Sequence, residues 1–288
     1  MQARSHYLNC GNFNVHITAW GDPSAPAVIA WHGLARTGRD FDTLAQHLCR
    51  RYHVICPDTI GRGLSQWSQD PQDDYCLTTY AQHALALMDG LGVAQAHWIG
   101  TSMGGNVGMV CAAALAIPQF KGRLRSLLLN DIAPEISSLA VERIKAYAGQ
   151  PPAFDTVPEL EAFFRQVYAP FGLSTDAEWQ HLTETSVRRL PDGRVTPHYD
   201  PNLVQQFFRA QPEFDMWAQY DALDVPVLVM RGAHSDLVAP ETIEAMHQRG
   251  PGAKGLLRSE VIAHCGHAPA LNTATQMQSV SAFLRSCD

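Results

Sequence analysis

One serine in the chain sits where its hydroxyl could be made to react. Gly100-Thr101-Ser102-Met103-Gly104-Gly105 follows a strand-length apolar run at 96–99 and leads into a helix-like stretch reaching residue 117. This is a G-x-S-x-G pattern between a strand and a helix. A serine on so sharp a turn holds a strained backbone, and side chains two residues to either side would collide, so Gly100 and Gly104 are the residues such an elbow needs. The helix start behind Ser102 adds partial positive charge where an oxyanion would form. A turn with no chemistry is the bland alternative, and the placement between strand and helix argues against it.

A serine hydroxyl is a weak nucleophile until a base takes its proton, so a histidine and an orienting carboxylate must come from further along the chain. Met230-Arg231-Gly232-Ala233-His234-Ser235-Asp236 follows an apolar run at 226–230 and offers Asp236. Ala263-His264-Cys265-Gly266-His267-Ala268-Pro269 offers His267 after the last strand. Asp131, in Leu129-Asn130-Asp131-Ile132, also follows a strand and is the alternative acid; otherwise it caps a helix or marks a hinge. His264 is a second choice of base, and His234 reads as a loop side chain. Arg36 and Asn106 lie near these turns and read as surface or helix-capping residues unless the fold turns them inward. The base must be neutral to accept a proton, so acidification would suppress turnover.

Other chemistries find little support. His264-x-x-His267 lacks the H-E-x-x-H spacing that sets two imidazoles on one helical face, and no cysteine pair has zinc-ligand spacing, so no metal is expected. Gly61-Arg62-Gly63 completes neither a phosphate-binding loop nor a dinucleotide fingerprint, and no cofactor is expected. A formal net charge of −7, with no basic run longer than two residues, makes nucleic acid a poor partner. The apolar stretch 107–117 is broken by Gly108 and is shorter than the roughly 20 residues that span a bilayer. The first residues lack the apolar centre of an export signal. Seven cysteines without a CxxC pair read as scattered thiols, and the expected compartment is the cytoplasm.

The elements that must position these residues follow from periodicity. Apolar runs at 27–31, 53–56, 96–99, 124–129 and 226–230 are nearly continuous, as in strands buried on both faces of a parallel sheet. Helical patterns follow at 42–50, 78–91, 102–117, 240–248 and 269–286, implying right-handed βαβ crossovers. Segments 6–10 and 13–20 read as a hairpin turning at Gly11-Asn12. The alternation lapses in 134–220, where helix-like pieces at 137–148, 157–168, 176–187 and 202–208 succeed one another without a strand. That segment holds 13 of the chain's 25 aromatic residues and 9 of its 18 prolines. It reads as an inserted helical cap on a core formed by 1–133 and 221–288. Its aromatics either line a pocket or make the cap's own small core.

Taken together, the motifs resemble the α/β-hydrolase superfamily across essentially the whole chain. Besides the elbow, Trp31-His32-Gly33-Leu34 resembles the family's HG turn, and Pro57-Asp58-Thr59-Ile60-Gly61-Arg62-Gly63-Leu64-Ser65 resembles its Asp-x-x-Gly-x-Gly-x-Ser loop. The resemblance implies an α/β fold: a mostly parallel central sheet flanked by helices, with the inserted cap. It implies Ser102, Asp236 and His267 as nucleophile, acid and base, in the family's chain order, with the sixth-strand position of some relatives falling on Asp131. It further implies an oxyanion hole from the backbone N–H groups of Leu34 and Met103. The expected activity is hydrolysis of a small-molecule carboxylic ester with small to medium apolar groups. Lactone, carbon–carbon bond and 3-hydroxyacid oligomer hydrolysis are alternatives on the same residues, and a hydrolase-like ligand-binding receptor is the non-enzymatic one. Dehalogenase and epoxide hydrolase chemistry would need a carboxylate at position 102.

Overall fold

The computed structural model describes residues 2–208 and 215–288, so residues 209–214 of the expected cap lie outside the described residues. Among the described residues ten strands form: β1 (Arg4–Cys10), β2 (Phe13–Trp20), β3 (Ala27–Trp31), β4 (His53–Pro57), β5 (Ala96–Thr101), β6 (Leu124–Asn130), β7 (Val187–Arg189), β8 (Val195–Pro197), β9 (Val227–Gly232) and β10 (Leu257–Ile262). Eight of them make one sheet in the order β1-β2-β4-β3-β5-β6-β9-β10. The first two pairings, β1 with β2 and β2 with β4, are antiparallel, and the rest are parallel. Every residue of β3 and β4 is buried, which explains why these strands read as unbroken apolar runs.

Helices cover both faces. The principal ones are α1 (Asp42–Leu48), α2 (Leu77–Gly90), α3 (Met103–Ala113), α4 (Ser138–Ala148), α5 (Val157–Val167), α6 (Asp176–Glu184), α7 (Pro240–Gln248) and α8 (Ala274–Arg285). One core cluster packs Leu87 and Met88 of α2 and Val107 of α3 against Trp31 and Trp98. The two indole rings stack 5.3 Å apart. A second cluster on the opposite face joins Leu44 and Leu48 of α1 to Val280 and Leu284 of α8.

Three expectations need correction. The helix behind Ser102 stops at Ala113, where Ala114 turns left-handed (φ 52°), four residues short of the expected end. The last helix starts at Ala274, since Pro269 and the residues after it form a loop. Residues 187–197 contain a short antiparallel pair, β7 with β8, where no strand was expected. The region between β6 and β9 nevertheless supplies no strand to the large sheet among the described residues. Five of its aromatics pack on one another: Phe154, Phe163, Phe164, Tyr168 and Phe171 form a chain of ring contacts with centroids 4.9–5.9 Å apart. With Leu160, Trp179 and Leu182, these make a separate small core.

Candidate active site

Strand β5 ends at Thr101, and Ser102 takes a left-handed conformation (φ 52°, ψ −121°) before α3 begins. The adjacent glycines have a steric reason. A Cβ on Gly100 would run into the backbone of Gly104 and Gly105, and one on Gly104 would run into the Trp31 carbonyl. The turn therefore closes against the end of β3 only without side chains at these positions. Asp131 follows β6 and is likewise left-handed (φ 51°), so two non-glycine residues at neighbouring strand ends carry strained backbone.

The structure brings Ser102, His267 and Asp131 into one hydrogen-bonded line. His267 Nε2 lies 2.9 Å from Ser102 Oγ, and its Nδ1 lies 2.8 Å from Asp131 Oδ2. Asp131 is fully buried, and its carboxylate also accepts from the Gly232 backbone N–H at 2.8 Å and the Ser235 hydroxyl at 2.7 Å. A carboxylate can only accept, so His267 Nδ1 carries the proton and Nε2 presents its lone pair to Ser102. Such a line can take the serine proton as the oxygen attacks an electrophile. Asn130 braces it from behind: its amide donates to Thr101 Oγ1 and to the Pro269 carbonyl, tying the elbow to the histidine loop.

Asp236 does not reach His267. In the loop after β9 the preceding residue, Ser235, turns inward onto Asp131, while Asp236 points outward and pairs with Arg143 of α4 at 2.6 Å. Both partners are about half exposed, with side-chain exposures of 49% and 52%. The geometry thus pairs His267 with the alternative acid, Asp131, because β6 already ends at the imidazole with a carboxylate that β9 and its loop satisfy. His264 is exposed, and His234 is exposed on the wall of the site cavity.

Gly33 lies against the elbow. A substituent there would sit 3.6 Å from Ser102 Cβ. Buried His32 fixes this turn: Nδ1 donates to the Gly33 carbonyl at 2.6 Å, and Nε2 accepts the Thr59 N–H at 2.9 Å. Burial pushes the His32 pKa down to about 4, against the opposing pull of Asp58, so the ring is neutral. Within one trans peptide the Gly33 carbonyl and the Leu34 N–H point opposite ways, so pinning the first directs the second. Arg62 holds the other side by donating to the Leu34 carbonyl at 2.8 Å. Met103 is the first residue of α3, and its N–H has no acceptor within the helix. Asp58 anchors the neighbouring loop. Burial alone would raise its carboxyl, but hydrogen bonds from His16 and Leu64 hold it below the ordinary range.

Two spaces meet at Ser102. A cavity of about 540 Å³ is lined by Ser102, His267, Arg36, Tyr168, Arg143 and Asp236, among others. A recess of about 40 Å³ on the other side is lined by Ser102, Met103, Leu34, Asn106, Ile132 and Ile144, and His267 is not part of its wall. The larger cavity is more charged than the expected apolar pocket. Arg36, expected at the surface, is only 4% exposed. Among the described residues no group of three or more His, Cys, Asp or Glu is placed to hold a metal, and no helix is long and apolar enough to cross a membrane.

Sheet order, strained elbow and histidine loop define a hydrolase scaffold, and comparison with known proteins agrees. Residues 26–273 match the family model of the alpha/beta hydrolase fold, and the chain belongs to that family. Among individual proteins, it is 39% identical over 274 residues to the 3-hydroxybutyrate-oligomer hydrolase of Cupriavidus necator, covering 92% of this chain and 90% of that one. It is 27% identical over 255 residues to Esterase YbfF of Escherichia coli, covering 87% and 89%. An α/β hydrolase structure from Novosphingobium aromaticivorans, 31% identical, superposes with a TM-score of 0.86 over 98% of each chain.

Proposed function

We propose that the protein hydrolyses carboxylic esters through an acyl-enzyme on Ser102, with short oligoesters of 3-hydroxy acids as its substrate class. The observation that carries the reading is the unbroken line Ser102–His267–Asp131, with 2.9 and 2.8 Å links. Ser102 Oγ attacks the ester carbon while its proton passes to His267 Nε2. The carbonyl oxygen becomes an oxyanion held by the N–H groups of Leu34 and Met103. The bond to the alcohol oxygen breaks as His267 returns the proton to it. Water then repeats the sequence on the acyl-enzyme, giving a proton to His267 and releasing the acid and Ser102. Asp131 keeps the imidazole in the required tautomer; we assign this role to Asp131 in place of Asp236.

Two observations support the substrate class. The 39% identity is to a protein named for hydrolysing 3-hydroxybutyrate oligomers. The recess of about 40 Å³ has room for three or four heavy atoms, on a scale where one water takes about 10–15 Å³. That suits a four-carbon acyl group better than a long fatty acyl chain. The test is a series of p-nitrophenyl esters from acetate to decanoate beside 3-hydroxybutyrate dimer and trimer, for the parent chain and Ser102→Ala. Activity should peak at short acyl lengths, extend to the oligomers and vanish in the alanine variant. Full activity in Ser102→Ala, or no turnover of any ester, refutes the reading.

A further inference from the structure

We propose that Arg143, with Tyr147 one turn further along α4, forms a specificity-determining site for the carboxylate that ends the leaving 3-hydroxy acid. This rests on the ester hydrolase reading above and deepens it. The leaving oxygen must take its proton from His267, so the departing alcohol lies in the space that His267 lines, which is the larger cavity. The recess without His267 is left for the acyl group.

Helix α4 lies over both spaces. Val141 and Ile144 wall the recess, while Arg143 and Tyr147 line the cavity. Residues four apart share a helix face, so the guanidinium and the phenol are neighbours. The Arg143 charge acts on the Tyr147 phenol, opposing the burial that raises it above the usual tyrosine range. Arg143 is about half exposed, and its one hydrogen bond among the described residues runs from Nη2 to Asp236. Its Nε and Nη1 are uncommitted there and open to solvent, whereas Nη1 of Arg36 is sealed within the protein. The Tyr147 hydroxyl likewise has no hydrogen-bond partner among the described residues. A half-exposed ion pair is weak, so Asp236 does not withhold the guanidinium from a ligand. The span also fits. An extended 3-hydroxy acid sets its carboxylate oxygens about 5 Å from the ester oxygen, and a hydrogen bond adds about 3 Å. A sphere of about 540 Å³ is roughly 10 Å across, so such an anion reaches the wall opposite the reacting atoms. Simple alkyl and nitrophenyl esters carry no anion there.

The test compares kcat/KM for 3-(3-hydroxybutyryloxy)butyrate with that for its methyl ester, which keeps the chain but not the charge. Arg143→Met should lower the ratio of acid to methyl ester by roughly 5–20-fold, mainly through KM. Tyr147→Phe should lower it less, since a phenol also serves the carbonyl of the methyl ester. Asp236→Asn should raise it, because the guanidinium then has no competing carboxylate. A brace without contact to substrate would not move the ratio in opposite directions. An unchanged ratio in Arg143→Met, or a fall shared equally by both substrates, overturns the proposal. Should that variant not fold, a ratio in Asp236→Asn no higher than the parent's overturns it. If the parent hydrolyses p-nitrophenyl butyrate but not the acid, the proposal falls and the ester hydrolase reading stands. If it hydrolyses no ester, that reading falls.

Discussion

Replacing one carboxylate at a time decides which acid serves His267. In Asp131→Asn the volume is kept but one acceptor becomes a donor. Asp131 Oδ1 receives the Gly232 N–H, while Oδ2 receives both the Ser235 hydroxyl and His267 Nδ1–H. An amide nitrogen at either position therefore faces a donor. The arrangement relaxes most cheaply if the amide donates to His267 Nδ1, which moves the ring proton to Nε2 and turns it against the Ser102 hydroxyl. Catalysis in comparable triads falls by about 10⁴ when the acid becomes an amide, roughly 5 kcal/mol of transition-state stabilisation. Asp236→Asn removes only a half-exposed pair with Arg143, worth about 0–1 kcal/mol at most, and turnover should stay within about fivefold of the parent. The assay is stopped-flow hydrolysis of p-nitrophenyl butyrate, reading the acylation rate directly, with circular dichroism to confirm folding. Equal losses in the two variants, or more than a tenth of parental activity in Asp131→Asn, would refute the assignment.

Two further perturbations test the scaffold. Gly104→Ala drives a methyl group into the Trp31 carbonyl at the end of a central strand, where neither backbone can give way. It should cost about 3 kcal/mol or more and lower the melting temperature; an unchanged melting curve contradicts the packing described. Burial depresses both His32 and His83 to about 4, so the unfolded chain binds protons that the folded one refuses. Their contribution is whole above about pH 6.5 and is lost as pH falls toward 4, about 2 kcal/mol each by pH 5. Urea denaturation between pH 7 and 4.5 should show this decline, and His83→Gln should flatten it by one histidine's share. An identical slope in the variant removes His83 from the account.

The fold was legible because its central strands are buried on both faces, leaving apolar runs that no surface element would carry. The strand that escaped the pattern is β10, Leu257–Ile262, where Arg258, Ser259 and Val261 are exposed and only Leu257 is buried. Edge strands face solvent, so their sequence resembles a loop. The short β7–β8 pair was hidden for another reason: three-residue strands carry no usable period. The helices of segment 134–220 could be read, but whether its rings faced a ligand or one another could not, since either arrangement asks for the same residues. Phe154, Phe163 and Phe164 settle on each other, and Tyr168 serves both ends, packed in that small cluster and laid against Arg36.

At the site, the elbow was written locally, because steric exclusion acts between Gly100, Ser102 and Gly104 within one turn. The acid was not, because Asp131 and Asp236 both follow a strand, and both strands end beside the histidine loop. What separates them is one residue of register in the loop after β9. With Ser235 turned inward, its hydroxyl and the Gly232 N–H satisfy a carboxylate arriving from β6, and the next side chain must point away, toward Arg143. Asp131 in turn pays for its left-handed backbone with three hydrogen bonds that no solvent-facing carboxylate would gain. The sequence does hold a trace of this. Asn130-Asp131 supplies two buried polar side chains at the end of an apolar strand, a placement that costs stability unless they find partners, and the Asn130 amide nitrogen finds two, on the elbow and the histidine loop, although its buried Oδ1 has none among the described residues. Consecutive polar residues at the buried end of a central strand thus mark the proposed acid more firmly than a lone aspartate in a glycine- and serine-bearing loop.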